Sequence, residues 1–186
     1  MTNAAETLDD NAQDLWVFGY GSLLWSPCFE VAETSIATLH GYHRSFCMWS
    51  IHYRGTPDAP GLVLALDKAD GATCQGMAFR VPGSHRAAAL SALRERELVS
   101  SAYLEAWLST VLNDGRRIDA VTYVIDPHHD QYAAGLTLEH QAQTIANAHG
   151  DRGPNRDYLA NTHAHLHDAG IADPDMDWLM AAVFPK

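Results

Sequence analysis

The residues best suited to chemistry in this sequence begin with a glycine-bounded turn. Residues 16–18 (Trp-Val-Phe) are apolar and lead directly into residues 19–22 (Gly-Tyr-Gly-Ser). Apolar and aromatic residues are typical of a buried strand, and glycine lets a ligand approach the main chain closely. A strand that ends in Gly-x-Gly-Ser directs several backbone N–H groups at one point. The turn is therefore predicted to bind an anion or a developing oxyanion.

The second candidate is the carboxylate of Glu97, which closes the charged run 94–97 (Arg-Glu-Arg-Glu). Residues 87–92 are strong helix formers, and Leu90, Leu93 and Glu97 recur at i, i+3 and i+7 on one helix face. Glu95, two positions earlier, faces away. A carboxylate on the apolar side of a helix loses hydration, which raises its pKa and suits it to proton transfer. An ordinary solvated charge run is the alternative interpretation.

The glycine turn matches neither of two common catalytic motifs. A dinucleotide fingerprint needs a third small residue and an immediate helix, but Leu24 occupies that position and residues 25–27 (Trp-Ser-Pro) follow. A hydrolase nucleophile elbow needs glycine two positions before and after the serine, and Ser22 has Tyr20 and Leu24 there. A turn that uses glycine only for its backbone conformation remains the alternative.

Several motifs, in order along the chain, resemble the ChaC-type γ-glutamylcyclotransferase family. The resemblance extends from Trp16 to about Leu166. Its motifs are residues 18–25 (FGYGSLLW), 41–44 (GYHR), 53–57 (YRGTP), 60–61 (PG), 96–98 (REL), 103–104 (YL), Trp107, 153–155 (GPN) and 158–159 (YL). The chain departs from some family members in the run 94–97 and in residues 100–102 (Ser-Ser-Ala), where glycine often occurs.

The resemblance implies a glutathione-specific enzyme that releases 5-oxoproline and Cys-Gly. In such enzymes a catalytic glutamate stands a fixed distance before a tyrosine and a tryptophan, and Glu97 keeps that spacing to Tyr103 and Trp107. Glu97 is therefore expected to be the general base and acid, with backbone N–H groups of the glycine turn binding the oxyanion. The reaction is expected to need neither a metal nor an organic cofactor.

The resemblance also implies a set of substrate-binding residues. Ser22 either binds the γ-glutamyl α-carboxylate or stabilises the turn, and Tyr20 and Tyr103 either line the pocket or pack in the core. Arg54 either holds the Cys-Gly carboxylate or is a surface arginine. The complete predicted set is Val17, Phe18, Gly19, Tyr20, Gly21, Ser22, Leu23, Arg54 and Tyr103.

Two other functions remain open at this stage. One is a cyclotransferase for other γ-glutamyl peptides or amines. The other is a non-catalytic regulatory binding module that serves ion transport. Glu97 argues against the binding module. His163 and His167 have metal-ligand spacing, but no acid or cysteine is placed to complete a site, so no metal is predicted.

Composition limits the partners and the compartment. The net charge of −11, with no offsetting Lys/Arg cluster, argues against nucleic-acid and anionic-membrane binding. No obligate protein partner is predicted. Cys28, Cys47 and Cys74 lack C-x-x-C spacing and cannot all pair, which favours a reducing cytoplasmic compartment. No apolar run approaches the ~20 residues of a membrane span.

The pattern along the 186 residues predicts an α+β fold, with strands in the first two thirds and helices in the last third. The family resemblance implies a small mixed β-barrel with flanking helices, formed by a single domain over 14–186 after a disordered acidic tail over 1–13. Turns are expected at residues 41–42, 70–71 and 113–115. Strands are predicted at 36–39, 45–51, 62–66, 75–81, 103–112 and 118–125, and helices from Ser84, Thr137, Pro154 and Asp173.

Overall fold

Five strands close into a barrel in the computed structural model, which describes residues 13–185. The strands are β1 (Leu15–Gly19), β2 (Glu33–Ser50), β3 (Gly61–Val81), β4 (Tyr103–Leu112) and β5 (Arg117–Ile125). Their order is β1-β3-β2-β4-β5, and β1 closes the barrel by pairing in parallel with β5. The predicted mixed barrel is confirmed. Residues 1–12 of the predicted tail lie outside the described residues.

The long strands β2 and β3 run through two positions where turns were predicted. Pairing passes from His40 with Thr73 directly to Tyr42 with Lys68, so Gly41 alone faces residues 69–72. The predicted turns at 41–42 and 70–71 are therefore wrong, because antiparallel pairing continues on both sides and absorbs the irregularity as a bulge. The positive φ angles of Gly41 (80°) and Gly71 (78°) belong to this bulge.

The predicted hairpin at residues 113–115 is confirmed and joins β4 to β5. The N–H of Leu112 donates to the carbonyl of Arg116 at 2.8 Å, and Gly115 has a φ of 89°. Trp107 on β4 faces Val121 on β5 in this register. The hairpin therefore forms one wall of the barrel beside β1.

The first helix, α1 (Arg86–Glu97), ends at the candidate carboxylate. A 3₁₀ helix (Gly83–His85) precedes it, so the prediction of Ser84 as the helix N-cap is wrong. Ala89 and Leu93 on the inner face of α1 are buried and pack with Leu15 and Val17 of β1. This packing places the C-terminal end of α1 beside the end of β1.

Three further helices cover the other side of the barrel. They are α2 (Leu138–Asn147), α3 (Asn155–Asp168) and α4 (Pro174–Val183), with the short strands β6 (His149–Gly150) and β7 (Gly153–Pro154) between α2 and α3. Thr137 and Asp173 cap α2 and α4 through their side chains, as predicted. Phe46, Leu62 and the inner faces of these helices share one apolar core. Of the helices within residues 13–185, none is long and apolar enough to cross a membrane.

Candidate active site

A small cavity of about 60 Å³ lies where the end of α1 meets the turn after β1. The cavity brings together seven predicted site residues, which are Phe18, Tyr20, Gly21, Ser22, Leu23, Glu97 and Tyr103. Four residues without a predicted site role complete the lining: Leu64, Thr122, Tyr123 and Tyr158. The lining thus comes from β1, β3, β4, β5, α1 and α3, and only the closed barrel assembles it.

The turn after β1 lines this cavity through Gly21, Ser22 and Leu23. Ser22–Leu24 is a 3₁₀ helix, fixed by the N–H of Leu24 on the carbonyl of Gly21 at 2.9 Å. Within residues 13–185, the N–H groups of Gly21, Ser22 and Leu23 donate no hydrogen bond. Unpaired backbone donors at a cavity are suited to an anion or an oxyanion.

The buried side chain of Arg44 fixes the turn by holding a backbone carbonyl. Its Nε donates to the carbonyl of Tyr20 at 2.7 Å, and its Nη1 pairs with Asp173 at 2.5 Å. The C=O of Tyr20 and the N–H of Gly21 belong to one trans peptide and point in opposite directions. Because Arg44 holds the carbonyl of Tyr20, the N–H of Gly21 points away from the Arg44 side chain.

Glu97 supplies the carboxylate of the cavity. Only 19% of its side chain is exposed. Burial raises the pKa of Glu97, and the guanidinium of Arg96 opposes that rise. Glu95 is exposed and accepts a hydrogen bond from Ser91 on the outer side of α1. Of the two glutamates, only Glu97 lines the cavity.

Tyrosines form much of the remaining wall. The hydroxyl of Tyr20 donates to the carbonyl of Tyr123 at 2.9 Å, and that of Tyr103 donates to the carbonyl of Leu64 at 2.9 Å. Burial raises the pKa of Tyr20 and of Tyr103 well above the usual value, and raises the pKa of Tyr158 to about 12. All three phenols are therefore neutral near pH 7, and Glu97 is the carboxyl residue among those that line the cavity.

Comparison with known proteins identifies the family. Residues 15–185 match the family model described as ChaC-like protein. This chain belongs to the ChaC-like family. It is 36% identical over 169 residues to the glutathione-specific γ-glutamylcyclotransferase of Escherichia coli (strain K12), across 91% of this chain and 72% of that protein. It is 33% identical over 165 residues to γ-glutamylcyclotransferase 2-3 of Arabidopsis thaliana, across 86% of this chain and 83% of that protein.

The ChaC-like fold is also found among solved structures. A crystal structure of a γ-glutamyl cyclotransferase specific to glutathione from yeast matches with a TM-score of 0.80 and 22% sequence identity. The match covers 91% of this chain and 95% of the yeast chain. The prediction of a γ-glutamylcyclotransferase-like barrel is thus confirmed at the level of the fold.

Three predicted site residues of the ChaC-like chain do not line the cavity. Val17 is fully buried in the core between β1 and α1. Gly19 lies against Phe79, where an added Cβ would be 3.0 Å from the ring. Arg54 donates through Nη1 to the carbonyls of Arg152 (2.7 Å) and Pro154 (3.2 Å), and its guanidinium carbon lies 5.7 Å from the centroid of the Tyr158 ring. Arg54 therefore reaches the cavity wall only through this tyrosine.

Tyr158 and Arg96 make contacts at the site that the sequence did not predict. Tyr158 lines the cavity, and its hydroxyl lies 3.9 Å from where a Cβ on Gly21 would be. Arg96 donates through Nη2 to Ser22 Oγ at 2.6 Å. Both occur in motifs of the family resemblance, which was the available signal, but no local pattern indicates what either side chain contacts.

The histidines of α3 have separate contacts. His163 lies 2.7 Å from Asp177, and the ring of His165 stacks on Trp25 with centroids 4.6 Å apart. Across residues 13–185, no group of three or more His, Cys, Asp or Glu side chains is arranged to hold a metal ion. These contacts tie α3 to α4 and to the segment after the glycine turn.

Proposed function

We propose that this protein is a γ-glutamylcyclotransferase that converts glutathione into 5-oxoproline and Cys-Gly. The observation that supports it most is one cavity lined by Glu97 and by residues 21–23, whose N–H groups donate no hydrogen bond within residues 13–185. Family membership and the names of the relatives support the same reaction.

The proposed reaction is an intramolecular aminolysis. The α-amine of the γ-glutamyl group attacks the γ-carbonyl carbon of the same group, and a five-membered ring forms. The amide bond to cysteine breaks, and the cysteine amine leaves with a proton. Because both reacting groups belong to one molecule, a cavity that holds the folded glutamyl chain contributes up to about 7–11 kcal/mol by alignment.

Glu97 is the proposed proton carrier. The attacking amine is mostly protonated at neutral pH, so the carboxylate first accepts a proton from it. The same carboxyl group then protonates the leaving nitrogen, and the second proton that the attacking nitrogen must lose passes to the released amine, which departs as an ammonium. Burial raises the pKa of Glu97, which brings it closer to the working pH and improves both transfers. General acid–base catalysis of this kind contributes on the order of 10²–10⁴ in rate.

The turn is the proposed site of the negative charges of the substrate. The N–H groups of Gly21 and Leu23 stabilise the oxyanion, each aligned donor contributing roughly 2.7–4 kcal/mol. Ser22 Oγ accepts a hydrogen bond from Arg96, so the hydroxyl proton of Ser22 remains free to bind the α-carboxylate of the glutamyl group. Tyr103 lines the same cavity.

Arg54 is proposed to attract the terminal carboxylate of the Cys-Gly part. Only Nη1 of Arg54 is engaged among residues 13–185, which leaves Nε and Nη2 for a carboxylate. Burial raises the pKa of Tyr158, and Arg54 lies close enough for its charge to oppose that rise. In bound glutathione, the Cys-Gly part would thus extend out of the cavity past Tyr158.

A reducing cytoplasmic location is part of this proposal. Cys28 is exposed, and Cys47 and Cys74 are buried, all three as free thiols. Burial raises the pKa of the Cys47 thiol to about 12, which keeps it protonated and unreactive. Reduced thiols are typical of proteins that work in the cytosol.

Product formation tests the function. Purified protein incubated with millimolar glutathione should yield equal amounts of 5-oxoproline and Cys-Gly. Glu97→Gln should lower kcat by about 10²–10⁴-fold, whereas Glu95→Gln, on the exposed side of the same helix, should leave it unchanged. Intact glutathione with the wild-type protein would refute the proposal. Faster turnover of γ-glutamyl-alanine than of glutathione would favour the broader cyclotransferase instead.

A further inference from the structure

One side chain connects the two halves of the proposed site. Arg96 donates through Nη2 to Ser22 Oγ at 2.6 Å and through Nη1 to the carbonyl of Ser26 at 2.5 Å. Its third nitrogen, Nε, lies 3.1 Å from Oε1 of Glu97. The guanidinium thus uses two nitrogens on the segment after β1 and one on the carboxylate at the end of α1.

The geometry of a guanidinium makes this connection rigid. Its donors lie in one plane at fixed angles, so the two hydrogen-bonded partners cannot shift independently, and the ion pair holds the Glu97 carboxylate beside them. Ser22 and Glu97 are 75 residues apart in sequence, and they belong to elements that meet only through tertiary packing. The arginine is therefore suited to fix the distance between the carboxylate and the serine hydroxyl.

We propose that Arg96 is a positioning residue that holds Glu97 and Ser22 in register and favours the ionised form of the Glu97 carboxylate before substrate binds. This inference rests on the proposed cyclotransferase function for its kinetic consequences. The proposed effect of Arg96 on the ionisation of Glu97 concerns the protein without substrate and does not depend on any activity.

The surroundings of Glu97 make Arg96 the dominant charge near it. The titratable groups that face Glu97 from other elements are the hydroxyls of Tyr20, Tyr103, Tyr123 and Tyr158. Burial raises the pKa of each of these phenols, so all are neutral in the working range. Arg96 is the cation that lowers the pKa of Glu97 against the effect of burial.

Arg94 offers a matched control. It belongs to the same helix, two residues earlier, and pairs through Nε and Nη2 with the carboxylate of Glu105 at 2.7 and 2.8 Å. Half of its side chain is exposed (52%), and it does not line the cavity. Removing its charge changes the net charge of α1 equally but leaves the contacts of Arg96 in place.

The kinetic test compares Arg96→Met, Arg96→Lys and Arg94→Met over a range of pH. In Arg96→Met, kcat should fall about 10- to 100-fold, the size of effect expected for a misplaced catalytic group, and the acid limb of kcat/KM should move to higher pH. Arg96→Lys keeps the charge without the planar fork, so its acid limb should stay near the wild-type position while kcat remains low. Arg94→Met should change neither quantity.

Two kinetic results would overturn the inference. Full recovery of kcat in Arg96→Lys would show that a point charge suffices and that the fork does not position the groups. An unmoved acid limb in Arg96→Met would show that Arg96 does not govern the ionisation of Glu97. Because the Arg96 side chain is largely buried in the wild type (28% exposed), thermal melting of each variant checks that the fold is retained.

A measurement without substrate separates this inference from the proposed function. Protein labelled with ¹³C at the glutamate carboxyls is titrated by NMR, and the Glu97 signal is assigned by its loss in Glu97→Gln. Its midpoint should rise in Arg96→Met and stay constant in Arg94→Met. A constant midpoint in Arg96→Met would contradict the electrostatic role, whether or not the protein turns over glutathione.

Discussion

Replacing Asp173 by asparagine should destabilise the protein and disturb a site residue at a distance. Asp173 pairs with Arg44, and Arg44 holds the carbonyl of Tyr20 in the glycine turn. The exposed fractions of the two charged side chains are 3% for Arg44 and 14% for Asp173. The change therefore leaves a buried guanidinium without its counter-ion.

The expected cost follows from the contacts that survive. Removing one partner of a buried ion pair costs about 3–5 kcal/mol. Arg44 retains its bonds to the carbonyls of Tyr20 and Gln75, so the loss should lie near 3 kcal/mol, at the lower end. Asp173 also caps α4 by accepting from the N–H of Met176 at 3.1 Å, and asparagine caps a helix about as well as aspartate. Asp173→Asn therefore removes the charge that pairs with Arg44 and keeps the cap of α4.

Urea unfolding at neutral pH measures this cost. Asp175→Asn is the control, since Asp175 is exposed in the first turn of the same helix and should change the free energy of unfolding by only about 0.5 kcal/mol. A lower kcat for glutathione in Asp173→Asn should accompany the loss of stability. Equal stability of the two variants would refute the reasoning that this pair anchors the turn.

Three other variants test separate contacts. In Gly76→Ala the new methyl group would lie 2.5 Å from the carbonyl oxygen of Gly19. Urea unfolding should therefore show a free energy of unfolding that is lower by about 1–3 kcal/mol. Unchanged stability would contradict the close approach of the two strands at this point. Glu97→Gln should be at least as stable as wild type at about pH 7. The raised pKa makes the wild-type free energy of unfolding fall as pH rises above 4.5, so unfolding at about pH 4 should remove the difference. Arg54→Met loses two hydrogen bonds to backbone carbonyls, so the free energy of unfolding should fall by about 1–3 kcal/mol. The same variant should raise KM for glutathione. An unaltered KM would exclude the proposed carboxylate contact.

Local signals in the sequence predicted much of the fold. The residues Asn-Asp-Gly at 113–115 marked the β4–β5 hairpin, and Thr137 and Asp173 marked the starts of two helices. These features depend on a few neighbouring residues, so sequence alone is sufficient for them. The continuity of β2 and β3 was missed, because whether Gly41 and Gly71 make a turn or a bulge depends on pairing with a distant strand.

At the candidate site, too, some features could be predicted from the sequence and others could not. Helical periodicity and the family resemblance singled out Glu97 and not Glu95, and the structure places only Glu97 at the cavity. The contacts of Arg44 with Asp173, 129 residues away, and of Arg96 with Ser22, 74 residues away, were not predicted. Long flexible side chains select their partners through the tertiary fold, and no spacing in the sequence encodes that choice.

The proposed function depends most on where the substrate binds, which a crystal structure of Glu97→Gln with glutathione would test directly. The γ-glutamyl group should lie in the cavity, with its α-amine within hydrogen-bonding distance of residue 97 and its γ-carbonyl oxygen facing the N–H groups of Gly21 and Leu23. Glutathione bound elsewhere, for example in the hollow between α3 and α4 near His163, would contradict it.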